Sequence, residues 1–139
     1  MKEHVTSLEL SRKLEKLGCK QVSKFYWVNE PKLDGEPSQD FHCIIRENFP
    51  STSVLSCSAF LASELGEMLP WTVKAGGWCF ELELWKDGSK KPWSVFYKKI
   101  ETNENVNLHS QEFSAKTEAD ARALMLIYLL EHGLMEVGR

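Results

Sequence analysis

The chain has 139 residues, of which 42% are apolar and 27% are charged, and its net charge is −3. This length can bury a core without disulfides or metals, so we expect one domain that spans residues 1–139. The apolar fraction excludes a disordered chain, and the negative charge argues against a general nucleic-acid-binding protein, which is normally basic.

The first elements predicted along the chain are a helix and two strands. Thr6 and Glu9 form a capping box, and an apolar stripe follows in a helix that ends before Gly18. Aromatic and β-branched residues predict a strand over residues 22–28. The alternating segment 41–46 predicts the antiparallel partner of this strand.

A second helix is predicted in the middle of the chain. Leu61, Leu65 and Met68 share one stripe, a serine cap is expected among residues 56–58, and Pro70 follows the end of the helix.

An aromatic hairpin follows this helix. Residues 78–85 read "WCFELELW", Asp87 and Gly88 are the turn signal, and "PWSVFYKKI" forms the returning strand. The alternation places Trp78 and Trp85 on opposite faces, so one buried face cannot cover both.

The last predicted helix begins at a capping box of Thr117 and Asp120, runs to His132, and has Gly133 just beyond its end. Its apolar residues extend past one stripe, which indicates that it is covered on more than one side. The element order predicts an α+β domain, with an antiparallel sheet of about four strands and three helices. We expect an arrangement between a two-layer fold and an α/β/α sandwich.

The four cysteines do not predict a metal site. Cys19, Cys43, Cys57 and Cys79 are separated by 24, 14 and 22 residues, so the close pairs that mark structural zinc sites are missing. We therefore expect reduced thiols, no metal and no cofactor.

A basic, aromatic segment is the first candidate for binding. Residues 86–99 contain five lysines and one aspartate, a local charge of +4 that leaves −7 on the rest of the chain. Aromatic side chains beside lysines can stack bases and hold phosphates, so single-stranded nucleic-acid binding is one alternative function. The other interpretation is that these lysines are solubilising charges that protect a strand edge. The candidate binding residues are Trp85, Lys86, Lys90, Lys91, Trp93 and Tyr97.

Two carboxylates supply a second alternative, a small hydrolase. Glu81 and Glu83 lie on one face of a strand, about 7 Å apart by strand geometry, and such a pair can perform acid–base chemistry. The competing interpretation is a solvated strand face paired with Lys98 or Lys99. We predict no catalytic residue and no enzyme, because the sequence lacks a nucleophile elbow, a phosphate loop and a dinucleotide fingerprint.

Several segments together resemble a known group of proteins. They are "SLELSRKLEKLGC" followed by "FYW", "SAFLASELGEMLP", the tryptophan-rich hairpin and "KTEADARALMLIYLLEHGLM". The arrangement is similar to small proteins encoded by bacteriophages and prophages, including those with a phage α/β/α sandwich domain. The resemblance implies a phage origin and a sandwich fold, and it transfers no functional residue.

The lack of a catalytic motif and the resemblance to phage proteins together imply, by analogy, a non-catalytic accessory protein of phage or prophage type that binds a host macromolecule or a small molecule. The longest apolar run, residues 123–130, is too short to span a bilayer, and the opening residues lack a signal peptide. We therefore expect no membrane partner and a cytoplasmic location, in the host cell if the protein is phage-encoded. We also expect a two-fold homodimer that uses the Trp85 side of the hairpin or its open edge, and nucleic acid is not the expected partner.

Overall fold

The computed structural model describes residues 2–29, 41–45, 55–75, 77–100 and 111–136, with residues 41–45 and 55 described by their backbone alone. The elements in chain order are a 3₁₀ turn (Lys2–His4), α1 (Leu8–Lys16), β1 (Phe25–Asn29), β2 (Phe41–Ile45), β3 (Leu55–Ser58), α2 (Ala62–Met68), β4 (Thr72–Ala75), β5 (Trp78–Lys86), β6 (Trp93–Lys99), β7 (Phe113–Ala115) and α3 (Glu118–Glu131).

The strands form two antiparallel sheets, which confirms the predicted α+β class. One sheet has the order β2-β1-β3 and the other has the order β4-β5-β6-β7. The predicted pairing of the first two strands is present, with Trp27 opposite Cys43. These strands do not join the hairpin sheet, however. Strand β3 pairs with the other side of β1, and the three strands form a separate sheet.

The segment that forms strand β3 was predicted to contain the N-cap serine of the second helix. Residues 56–58 instead pair with β1, and α2 begins only after Leu61. The start of α2 is stabilised by Glu64, whose carboxylate accepts hydrogen bonds from Leu61 N at 2.8 Å, Ser23 Oγ at 2.7 Å and Lys24 N at 3.0 Å. One carboxylate therefore caps the helix and holds the chain that leads into β1.

The N-terminus of α1 also differs from its prediction. Ser7, not Thr6, is the N-cap residue, and its side chain accepts a hydrogen bond from Leu10 N. Thr6 is buried, and its hydroxyl accepts a hydrogen bond from Phe60 N at 3.0 Å. Thr6 thus lies one residue before the N-cap, where its hydroxyl serves a distant backbone group instead of its own helix.

Thr117 is the N-cap of α3, as predicted, but the two predicted capping residues divide their roles. The Thr117 hydroxyl accepts a hydrogen bond from Asp120 N at 3.2 Å. The Asp120 carboxylate accepts a hydrogen bond from Ser7 N at 2.7 Å, so it connects the first turns of α1 and α3. Burial raises the pKa of Asp120 despite this hydrogen bond.

The main core lies between α3 and one side of the four-stranded sheet. This inner face is formed by Val73, Phe80, Leu82, Leu84, Trp93, Val95, Tyr97, Phe113 and Ala115. Helix α3 packs on β6 and β7, and it also contacts α1 and α2. The prediction that α3 is covered on more than one side is therefore confirmed, since seven of its residues are buried.

A second cluster fills the space under the three-stranded sheet. It comprises Val5, Phe25, Trp27, Cys57 and Ala59. The Trp27 indole donates from Nε1 to Thr6 O at 2.9 Å, so its polar atom is satisfied within the core. In the part of the chain that the structure describes, none of the helices has the length and apolar character needed to cross a membrane.

Candidate binding surface

The side of the four-stranded sheet that faces away from α3 is the candidate binding surface. Strand alternation and the pairing register assign ten residues to this outer face. They are Thr72, Lys74, Cys79, Glu81, Glu83, Trp85, Ser94, Phe96, Lys98 and Ser114. Five of the ten, including Trp85 and Lys98, are exposed to solvent.

Trp85 is the dominant apolar feature of the outer face. Its side chain is 63% exposed, although a tryptophan is usually well buried. The centroid of its ring lies 6.1 Å from the centroid of the Phe96 ring, and the two planes are inclined by 55°. Its Nε1 donates a hydrogen bond to Glu83 Oε2 at 3.3 Å. The indole is thus presented to solvent but held on two sides.

The charges on the outer face are balanced. Glu81 lies directly opposite Lys98 on β6 and opposite Thr72 on β4. Together with Glu83 and Lys74, this gives two carboxylates and two ammonium groups. The surface therefore has no net charge to attract a polyanion.

Tyr97 was predicted to be a binding residue, and the structure places it in the core. Its side chain is 1% exposed, and its hydroxyl donates to Pro70 O at 2.6 Å. Burial raises the pKa of this phenol well above its ordinary value. The reason is alternation, because Tyr97 pairs with Leu82 on the inner face whereas its neighbour Phe96 lies on the outer face.

The other predicted binding residues are divided between a strand end and a loop. Lys86 and Trp93 form a cross-strand pair with inner-face parity, and the Lys86 ammonium lies 4.9 Å from the centroid of the Trp93 ring. Trp93 is half-buried against the core. Lys90 and Lys91 are exposed in the loop of residues 87–92.

The predicted turn signal does mark the hairpin connection. Asp87 N donates to Pro92 O at 2.8 Å, and Asp87 Oδ1 accepts from Ser89 N at 2.8 Å. The hydrogen bonds from Ser89 lower the pKa of the Asp87 carboxyl. The connection is longer than a two-residue turn, since the strands end at Lys86 and restart at Trp93.

The lysines at the far end of β6 are also divided between the faces. Lys98 lies on the outer face, whereas Lys99 has inner-face parity and its Nζ lies 3.0 Å from the centroid of the Trp78 ring. Lysines that are adjacent in the sequence therefore do not form one basic strip.

Two exposed tryptophans flank strand β4, which was not predicted. Trp71 is 79% exposed, and its carbonyl accepts a hydrogen bond from Leu82 N at 2.9 Å. Trp78, which follows β4 and begins β5, is 45% exposed. The only signal for this short strand was the Thr72–Val73 pair, because α2 and Pro70 immediately precede it.

The Glu81 and Glu83 pair lies on the open outer face and not in a cleft. The structure contains a cleft of about 570 Å³ between α2, α3 and the segments that follow α1 and α3. It is lined by Cys19, Lys20, Val22, Glu64, Glu67, Met68, Leu126, Leu130, Met135 and Glu136. Among the described residues, no three histidine, cysteine or acidic side chains cluster in a way that could hold a metal ion. The hydrolase alternative gains no support from this geometry.

The described thiols differ in burial, and this predicts their reactivity. Burial raises the pKa of Cys19 and Cys57 to about 11, whereas Cys79 is partly exposed on the outer face. We expect alkylation of the native protein near neutral pH to modify Cys79 well before Cys19 or Cys57, because the thiolate is the reactive form. Peptide mapping by mass spectrometry measures the order, and equal rates for the three sites would contradict it. The side chain of Cys43 lies outside the described residues.

Comparisons with protein-family models, with curated proteins and with solved structures found no match to this chain.

Proposed function

We propose that this chain is a non-catalytic binding protein that uses the outer face of its four-stranded sheet to bind another protein. The observation that carries the proposal is Trp85, a largely exposed tryptophan held by Phe96 and Glu83. Tryptophan is enriched among the residues that dominate interface energies. An indole that is already ordered loses little side-chain entropy when a partner covers it.

The shape and charge of the outer face favour a protein over a small molecule or a nucleic acid. Small molecules bind in concave sites, whereas Trp85 stands on a sheet surface. A nucleic-acid site needs cations beside its stacking platforms. Trp85 and Trp93 lie on opposite faces of the sheet, so their rings do not form one platform. On the outer face, two glutamates balance the charge of the lysines. The nucleic-acid alternative therefore has less support.

The wider biological setting is part of the same proposal. The resemblance to small phage and prophage proteins suggests an accessory protein that acts in the cytoplasm of a host cell. A protein partner that docks on a preformed sheet face is consistent with such a role. The support for this role is an analogy at the level of the fold.

The test is co-purification of the untagged protein from its natural host, followed by mass spectrometry of the proteins that remain bound. We expect Trp85→Ala to lose the bound partner. Trp71→Ala is the matched control, since Trp71 is also an exposed tryptophan but precedes the outer-face residue Thr72 and so has the opposite parity. Equal retention by the wild type and both variants would contradict the proposal.

A further inference from the structure

We infer that the outer face is self-complementary and that its partner is a second copy of this chain. The inference rests on the proposed function, because it names the protein that the Trp85 surface binds. In a two-fold contact, the same patch occurs on both copies. If one residue of the first copy contacts a different residue of the second, the reverse contact is also made. The outer face meets this requirement when two copies pack outer face to outer face. The two-fold axis then lies between the two sheets, parallel to the strands and above the line midway between β5 and β6.

One pair of opposite charges is complementary in this arrangement. The rotation places β5 of one copy over β6 of the other. Each outer-face residue of these strands therefore faces, in the second copy, the residue that is its cross-strand neighbour within its own chain. Glu81 and Lys98 are such neighbours. Glu81 of one copy therefore faces Lys98 of the second copy, and the same contact occurs twice. Charge pairs of this kind determine which register forms and disfavour the others.

The side-chain sizes are complementary as well. Trp85 pairs across the strands with Ser94, so the same rotation places each indole over Ser94 of the other copy. Ser94 is only 9% exposed, and its hydroxyl lies 2.9 Å from that of Ser114 on β7. Ser94 and Ser114 are the smallest side chains beside Trp85 on this face. The rotation therefore brings the largest outer-face side chain of each copy over small ones, as interdigitating sheet faces require.

The experiment uses charge reversal at the inferred contact. Glu81→Lys places two lysines opposite each other in the dimer, and Lys98→Glu places two glutamates opposite each other. We expect the wild type to sediment as a dimer of 16.0 kDa chains at micromolar concentration and to dissociate on dilution. Each single variant is expected to be monomeric at that concentration. An equimolar mixture of the two variants is expected to dimerise again, because each copy then faces an opposite charge.

Two controls separate the contact between chains from the pair within one chain. Each single variant also opposes like charges in its own sheet, which slightly destabilises the fold. Mixing the variants leaves those intrachain pairs unchanged, so recovery of the dimer assigns the effect to the interface. Glu67→Lys reverses an exposed charge on α2, away from the sheet, and is expected to leave the dimer unchanged.

Two results would overturn the inference. One is a wild type that remains a single 16.0 kDa species at all concentrations, and the other is a dimer that persists in both charge-reversal variants. Neither decides the proposed function, because loss of a foreign partner from Trp85→Ala would still show that the outer face binds protein. Conversely, a dimer that obeys the charge rule and co-purifies with no other protein would restrict the binding to self-association.

Discussion

Replacing Leu129 by alanine is expected to lower the stability of this protein more than any other substitution named in these predictions. Leu129 is 1% exposed and belongs to the main core between α3 and the sheet. Truncation of a fully buried leucine removes its transfer free energy and leaves a cavity, which together lower the free energy of unfolding by about 2–5 kcal/mol. This is a large share of the 5–15 kcal/mol typical of a domain.

Leu124→Ala is the matched control for this prediction. Leu124 lies in the same helix but is only partly buried, so the helix propensity changes equally while less packing is lost. Urea unfolding followed by tryptophan fluorescence measures both variants. Equal losses in the two variants would show that α3 does not present Leu129 to the core.

Replacing Tyr97 by phenylalanine is expected to have the next largest effect. The substitution keeps the ring in the core but removes the hydroxyl that donates to Pro70 O at 2.6 Å. The Pro70 carbonyl is only partly buried, so the loss is that of an ordinary hydrogen bond, about 0.5–1.5 kcal/mol. Tyr128→Phe is the control, since that half-buried ring packs on Phe113 and His132. We expect the control to change the urea midpoint much less.

The same tyrosine predicts an alkaline loss of stability. Burial raises the pKa of Tyr97 above its ordinary value of 10.0, so the folded chain keeps the phenolic proton where the unfolded chain releases it. The folded state then binds more protons, and the free energy of unfolding falls as pH rises from 10.0 towards the folded pKa. Cys19 and Cys57 act in the same direction, from 9.0 to about 11.

Urea midpoints on either side of pH 10.0 test this dependence. The fall above that pH is expected to be shallower in Tyr97→Phe than in the wild type, while the thiol contribution that begins lower remains. An identical slope in both proteins would contradict the assignment to Tyr97.

Local signals in the sequence were sufficient to predict those elements whose stabilising contacts are made between residues close together in the chain. The cap at Thr117, the glycine after α3 and the alternation of β5 each rest on contacts within a few positions, so they could be predicted. Strand β4 could not, because four residues carry little periodic signal. Thr6 was predicted to cap α1 because the sequence does not reveal that its hydroxyl serves Phe60 N, from a residue more than fifty positions away.

The sequence by itself determined that Trp78 and Trp85 lie on opposite faces of one strand, since side chains alternate at every residue. It did not determine which face is covered, because both faces carry large aromatic residues. That choice was made by α3, whose buried residues pack on β6 and β7 from the side that holds Val95 and Tyr97. Contacts between distant segments also separated the strands into two sheets, because β3 pairs with β1 rather than with the hairpin. Burial of one face by a distant helix is therefore what turned an alternating sequence into an inner core and an open outer surface.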